Sequence, residues 1–239
     1  MVGTREKDIK NLLDKVIPLH KEAVKGNETA TADMDQLLEK ARSTYSDIPL
    51  VDAYHGNTMI LIARDRTNPL DKLRLSKAGL KLLDGAVNAA PDHSMIRLLR
   101  GKTAYMLPEK HFHRADTAIE DYKILINQQE SFLGKYDYLQ LRYELGEVYY
   151  RIGQNQEAAT CWRKLLNETE DPDFLHLLEL KLGKLEGKPA VVHIPNTDSP
   201  TSILIRKTVR AVGNELQQLA TKPNKTANED PHNGGQQLM

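Results

Sequence analysis

Apolar residues recur at helical spacing along most of the chain. Near the start, Ile9, Leu12, Leu13, Val16 and Ile17 fall on one stripe. Similar patterns continue to about residue 186. Prolines mark the helix starts. Asn68-Pro69, Asp171-Pro172 and Ser199-Pro200 each set a capping side chain before a proline at the first helical position. Pro91 separates "LKLLDGAVNAA" from "HSMIRLLRGKTAYM". No clear strand alternation is visible. The nearest candidate, "AVVHI" at Ala190 to Ile194, lies between Pro189 and Pro195 and reads as an extended linker. About ten helices joined by short loops predict an all-α fold of antiparallel helix pairs.

The pairs carry small and bulky residues in step. Gly56, Gly101 and Gly146 sit inside helical patterns at equal spacings of 45 residues, an equality that reads as partly accidental. The second helices carry a small residue and a bulky one four later: Gly79/Leu83, Ala118/Tyr122 and Ala158/Trp162. The offsets from first glycine to second small residue are 23, 17 and 12, so the connecting loops differ. In the third pair, Leu141, Leu145, Val148, Tyr149 and Ile152 form one stripe. Ala158, Trp162, Leu165 and Leu166 form the other. Gly146 and Ala158 permit close approach, Tyr149 and Trp162 fill the space beside them, and Gly153 ends the first helix. Loss of the Trp162 ring is expected to cost about 3–5 kcal/mol.

The stretch "LGEVYYRIGQNQEAATCWRKLLNETEDP" resembles a tetratricopeptide repeat. Leu145, Gly146, Tyr149, Gly153, Ala158, Trp162 and Pro172 match that pattern in order. Arg142 stands where the family usually has tryptophan, Leu165 where it has alanine, and Pro172 comes about two residues late. The other two units match less well, although "AGLKLLDGAVNAAP" has Ala86 and Pro91 in the family's places. The resemblance spans about residues 49 to 172, with insertions. It implies a superhelical array of helix pairs. The expected organisation is a helical extension over 1–48, the array over 49–186, an extended linker over 187–198, an amphipathic helix over 199–220 and a disordered tail over 221–239.

Such an array offers a concave face made by its first helices. On the third pair Tyr143, Glu147, Tyr150 and Arg151 form a stripe apart from the buried one. The resemblance implies that these, with Gln140, line a peptide groove. Asn57, Lys102 and Tyr105 are the counterparts on the earlier pairs. Tyrosines beside charges suit a peptide or partner helix, and the alternative is an ordinary solvated face. His111 and His113, near Glu109, have a His-x-His spacing that metal can use, but no distant ligand completes it and Phe112 reads as a loop anchor. His55 and His93 read as structural. Cys161, the single cysteine, lacks a catalytic signature and reads as packing. Arg64, Asp65 and Asp71 read as loop and cap charges.

Composition narrows the partners. Lys plus Arg and Asp plus Glu are both 33, so a general nucleic-acid binder is disfavoured. One cysteine excludes an internal disulfide. No apolar leader or bilayer-length run is visible, which points to the cytoplasm and leaves the sequons at Asn27, Asn167 and Asn224 without meaning. No nucleotide or hydrolase motif occurs, and no cofactor or metal is expected. In the C-terminal helix, Ile205, Val209, Val212, Leu216 and Leu219 form an a/d-like stripe. Its expected role is to cap the array, with self-association as an alternative; Arg206, Lys207 and Arg210 leave membrane-surface docking open. The leading expectation is a non-catalytic protein- or peptide-binding adaptor. A peripheral membrane protein comes second, and a metal-dependent enzyme using His111 and His113 last.

Overall fold

The computed structural model of the 239-residue chain describes residues 2–45, 47–128 and 135–188. Among these, the helices are α1 (Val2–Val24), α2 (Glu28–Thr44), α3 (Pro49–Asp65), α4 (Pro69–Ala89), α5 (Ser94–Met106), α6 (Glu109–Phe112), α7 (Ala115–Asn127), α8 (Lys135–Arg151), α9 (Asn155–Leu166) and α10 (Pro172–Gly183). The prolines act as the sequence implies. Asn68 accepts from the Leu70 N–H at 2.9 Å and Pro69 opens α4. Asp171 accepts from the N–H groups of Asp173 and Phe174 at 3.0 and 3.1 Å and Pro172 opens α10. Both cap side chains satisfy N–H groups that a helix start leaves without partners. Ser199-Pro200, the extended linker, the amphipathic helix and the tail lie at or beyond residue 189, outside the described residues, apart from Gly187 and Lys188.

The fold is all-α, a succession of antiparallel helix pairs. The pairs are α1/α2, α3/α4, α5/α7 and α8/α9, with the single turn of α6 in the connection of the third. Each pair lies on the next: α2 against α3, α3 and α4 against α5, α7 against α8, and α10 against α9. The segment 1–48 therefore supplies a helix pair of its own. Along α1 the fully buried residues are Val16 and Ala23, two turns apart. Ile17 lies one residue off that line and is 39% exposed, against its expected place on the buried stripe.

The three glycines at equal spacing occupy one packing position. A Cβ at Gly56 would lie 2.6 Å from the Gly79 carbonyl oxygen and 3.1 Å from Leu83 Cγ. At Gly101 it would lie 2.9 Å from the Tyr122 ring, and at Gly146 it would lie 2.7 Å from Cδ1 of the Trp162 indole. In each of these three pairs the first helix thus lacks a side chain where the second brings its bulky residue. The 45-residue equality marks this position, although the connections between helices differ in length.

The stripes expected of the last glycine-bearing pair, α8/α9, are its core. Leu141, Leu145, Val148, Tyr149, Ala158, Trp162 and Leu165 are buried, while Ile152 and Leu166 are half-buried. Gly153 closes α8 with φ +79°, and the Gln154 N–H returns to the Tyr149 carbonyl at 2.9 Å. Among the described residues, no helix is long and apolar enough to cross a membrane.

Candidate peptide-binding face

The residues expected to line a groove come from α3, α5 and α8, and the structure ties them into lateral contacts between successive first helices. Asn57 on α3 is the most enclosed, at 8% exposure. Its Nδ2 donates to Thr103 Oγ1 of α5 at 2.8 Å, and its Oδ1 lies 2.8 Å from His20 Nε2 of α1. Asn57 thus links three helices and presents little to solvent.

Lys102 on α5 donates to both oxygens of Glu144 on α8, at 2.7 and 2.8 Å. Glu144 also accepts from the Tyr122 hydroxyl at 2.7 Å and from Gln140 Nε2 at 3.2 Å. Burial, then the charge and hydrogen bond of Glu144, push the Tyr122 phenol well above its ordinary range. Tyr122 is therefore a fixed donor and Glu144 a saturated carboxylate. The sequence reading missed Glu144, whose place between Gln140 and Glu147 on the same side of α8 was the available signal.

The tyrosines sit beside cations. Arg151 lies 4.3 Å from the Tyr105 ring centroid and donates to the Tyr105 carbonyl. Glu147 accepts from Lys181 of α10 at 2.9 Å through Oε2, while its Oε1, 2.8 Å from Nζ, lies outside hydrogen-bonding geometry. Lys181 Nζ is also 6.0 Å from the Tyr143 centroid. Burial works against the Lys181 charge, but the hydrogen bond and charge of Glu147 outweigh it and raise its pKa. Lys188, just beyond α10, lies 5.8 Å from the Tyr150 centroid. Tyr143 also packs edge-on to Phe174 at 5.8 Å, and Tyr143 and Tyr150 lie 6.3 and 6.1 Å from Trp162. Tyr105, Gln140, Tyr143, Glu147 and Tyr150 are half-buried and Arg151 is exposed. Lys181 and Lys188 were not expected here, because the face was read only along the three glycine-bearing helices.

The other candidates are separate from this face. His111 is exposed on α6, and His113, with φ +49°, ends that helix with Nδ1 4.0 Å from Glu109 Oε1. Glu109 instead accepts from the N–H groups of Arg114 and Ala115 at 2.9 and 2.8 Å, capping α7. Among the described residues no three metal-ligating side chains converge. Cys161 is half-buried and burial raises its thiol pKa, the reverse of an activated nucleophile. His55 is held by Arg42 at 3.1 Å and Asp35 at 3.2 Å. Arg64 pairs with Asp65 at 2.7 Å and reaches the Ala23 carbonyl at the end of α1 at 3.2 Å.

No family model matches the chain, and no curated protein matches it. Among solved structures, the chain is similar to a thermophilic TPR protein of Thermus thermophilus, with 13% sequence identity and a TM-score of 0.46. The similarity covers 76% of this chain and 95% of that one.

Proposed function

We propose that the chain is a non-catalytic protein- or peptide-binding adaptor, and that its partner lies on the face of α5, α8 and α10. The observation that carries this reading is the set of tyrosine–cation contacts, Tyr105 with Arg151, Tyr143 with Lys181 and Tyr150 with Lys188. Their rings are half-buried, so each offers a surface that a partner can cover. Hydrogen bonds from Arg151 to the Tyr105 carbonyl and from Lys181 to Glu147 hold two of the three cations in place, which lowers the ordering cost of binding.

Tyr143 and Tyr150 also pack on Trp162, so truncating them tests folding and binding together. Gln140 is a cleaner probe. A photo-crosslinking residue at Gln140 is expected to capture a protein in extracts of the native host. The same residue at Lys110, exposed on α6, serves as the control. Capture at Gln140 should fall when Arg151 is changed to Glu, with the melting temperature unchanged. Equal capture from both positions, or indifference to Arg151→Glu, removes the reading.

A further inference from the structure

The face holds more positive charge than its own carboxylates absorb. Glu144 is buried and already takes Lys102, Tyr122 and Gln140. Glu147 is held by Lys181. Arg151 and Lys188 are exposed, and among the described residues neither has a carboxylate within ion-pair distance. Each is instead set over a tyrosine ring, at 4.3 Å from Tyr105 and 5.8 Å from Tyr150. A ring seats a cation without neutralising it, unlike an ion pair. The formal charge of the whole chain is zero, so the excess here is local.

We propose that the occupant of this face is an acidic, extended segment of a partner protein, its carboxylates meeting Arg151 and Lys188 and its chain lying across Tyr105, Tyr143 and Tyr150. The proposal rests on the peptide-binding reading above and adds the chemistry of the partner. Charge complementarity carries it. A basic segment would meet two unneutralised cations, while the two acids that would attract it are turned to Lys102 and Lys181. The tyrosine rings favour a polypeptide, whose aliphatic and peptide groups pack on them. A polyphosphate backbone would seek a broader basic surface than this neutral chain supplies.

The full chain is titrated into a fluorescein-labelled Glu-Ser repeat peptide, its Gln-Ser counterpart and a single-stranded oligonucleotide, followed by anisotropy at low and raised salt. The Glu-Ser peptide should bind at least about tenfold more tightly than the Gln-Ser peptide, and more weakly as salt rises. The Arg151→Gln/Lys188→Gln double variant should lose about tenfold in affinity and have a shallower salt dependence, while Lys110→Gln changes nothing. Both altered side chains are exposed, and an unchanged melting curve will show that the variant folds. Equal binding of the Glu-Ser and Gln-Ser peptides, or no binding of the first, overturns the acidic preference. An oligonucleotide that displaces the peptide through Arg151 and Lys188 overturns it in favour of nucleic acid. Crosslinking from Gln140 is read separately, so a captured partner with no acidic preference leaves the adaptor reading standing.

Discussion

Asp121 is fully buried, and its two oxygens take three hydrogen bonds: from Arg97 Nη1 at 2.7 Å and from Arg100 Nε and Nη2 at 2.7 and 2.8 Å. Both arginines are themselves buried, and Arg97 also donates to the Pro91 carbonyl. Burial opposes the Arg100 charge, but the hydrogen bond and charge of Asp121 outweigh it, so its pKa is raised. Asp84 joins the same group at its edge, 3.5 Å from Arg100 and 2.5 Å from Arg114, but is 39% exposed. These environments predict unequal costs. Asp121→Ala removes the one fully buried carboxylate of the cluster, leaving two buried guanidiniums with only the solvent-exposed Glu120 and Asp84, and should destabilise the protein by about 3–5 kcal/mol. Asp84→Ala removes a solvent-screened partner and should cost about 1 kcal/mol or less. Urea unfolding of the two variants checks the ratio, and similar losses would show that burial does not govern the cluster.

At the scale of the element, the packing of one helix pair could be read from spacing, because both sides of the contact lie within a few turns of sequence. Gly146 and Trp162 are such a case. Gly101 and Tyr122 form the same contact; their small-and-bulky step was visible in the sequence, but the longer connection containing α6 kept the contact itself from being read off spacing. The Arg97–Arg100–Asp121 cluster was illegible for a related reason: arginine and aspartate on helix faces look solvated until the fold sets them together. On the candidate face, the tyrosines were visible as a stripe, but their pairing with Lys181 and Lys188 depends on how α10 packs. Helix glycines give a direct test of this distinction. Gly146→Ala places a methyl group against the Trp162 indole and should cost about 1–3 kcal/mol. Gly85 lies on α4, where an added methyl would meet no atom within 4 Å. Gly85→Ala should stabilise the protein by about 0.5–1 kcal/mol through helix propensity alone. Thermal unfolding of the two variants should therefore shift in opposite directions, and stabilisation of both would mean that propensity, rather than the local contact, decides both.

Across the molecule, stability depends on groups that join one pair to the next, and at His20 such a join is sensitive to pH. It links α1 to α3 through Asn57, whose Nδ2 donates onward to Thr103 on α5. With that amide committed to Thr103, Oδ1 is left to accept, and His20 Nε2 carries the hydrogen. The imidazole also meets Tyr54 edge-on at 5.5 Å. Burial lowers the His20 pKa below the ordinary 6.5, and the Asn57 hydrogen bond offsets only part of that shift. The sign follows from proton uptake. Below about pH 6.5 the unfolded chain binds a proton that folded His20 refuses, so stability falls as pH drops towards the lowered folded value. Once the pH is below both values, this contribution changes no further. Its slope is at most about 1.4 kcal/mol per pH unit. His20→Gln retains a side-chain amide able to donate to Asn57 but cannot titrate. Urea unfolding between about pH 7 and about pH 5 should therefore give a steeper fall for the unaltered chain than for the variant. Because every other residue is common to the two proteins, the difference between the two curves isolates His20, and parallel curves would show that this connection does not respond to pH.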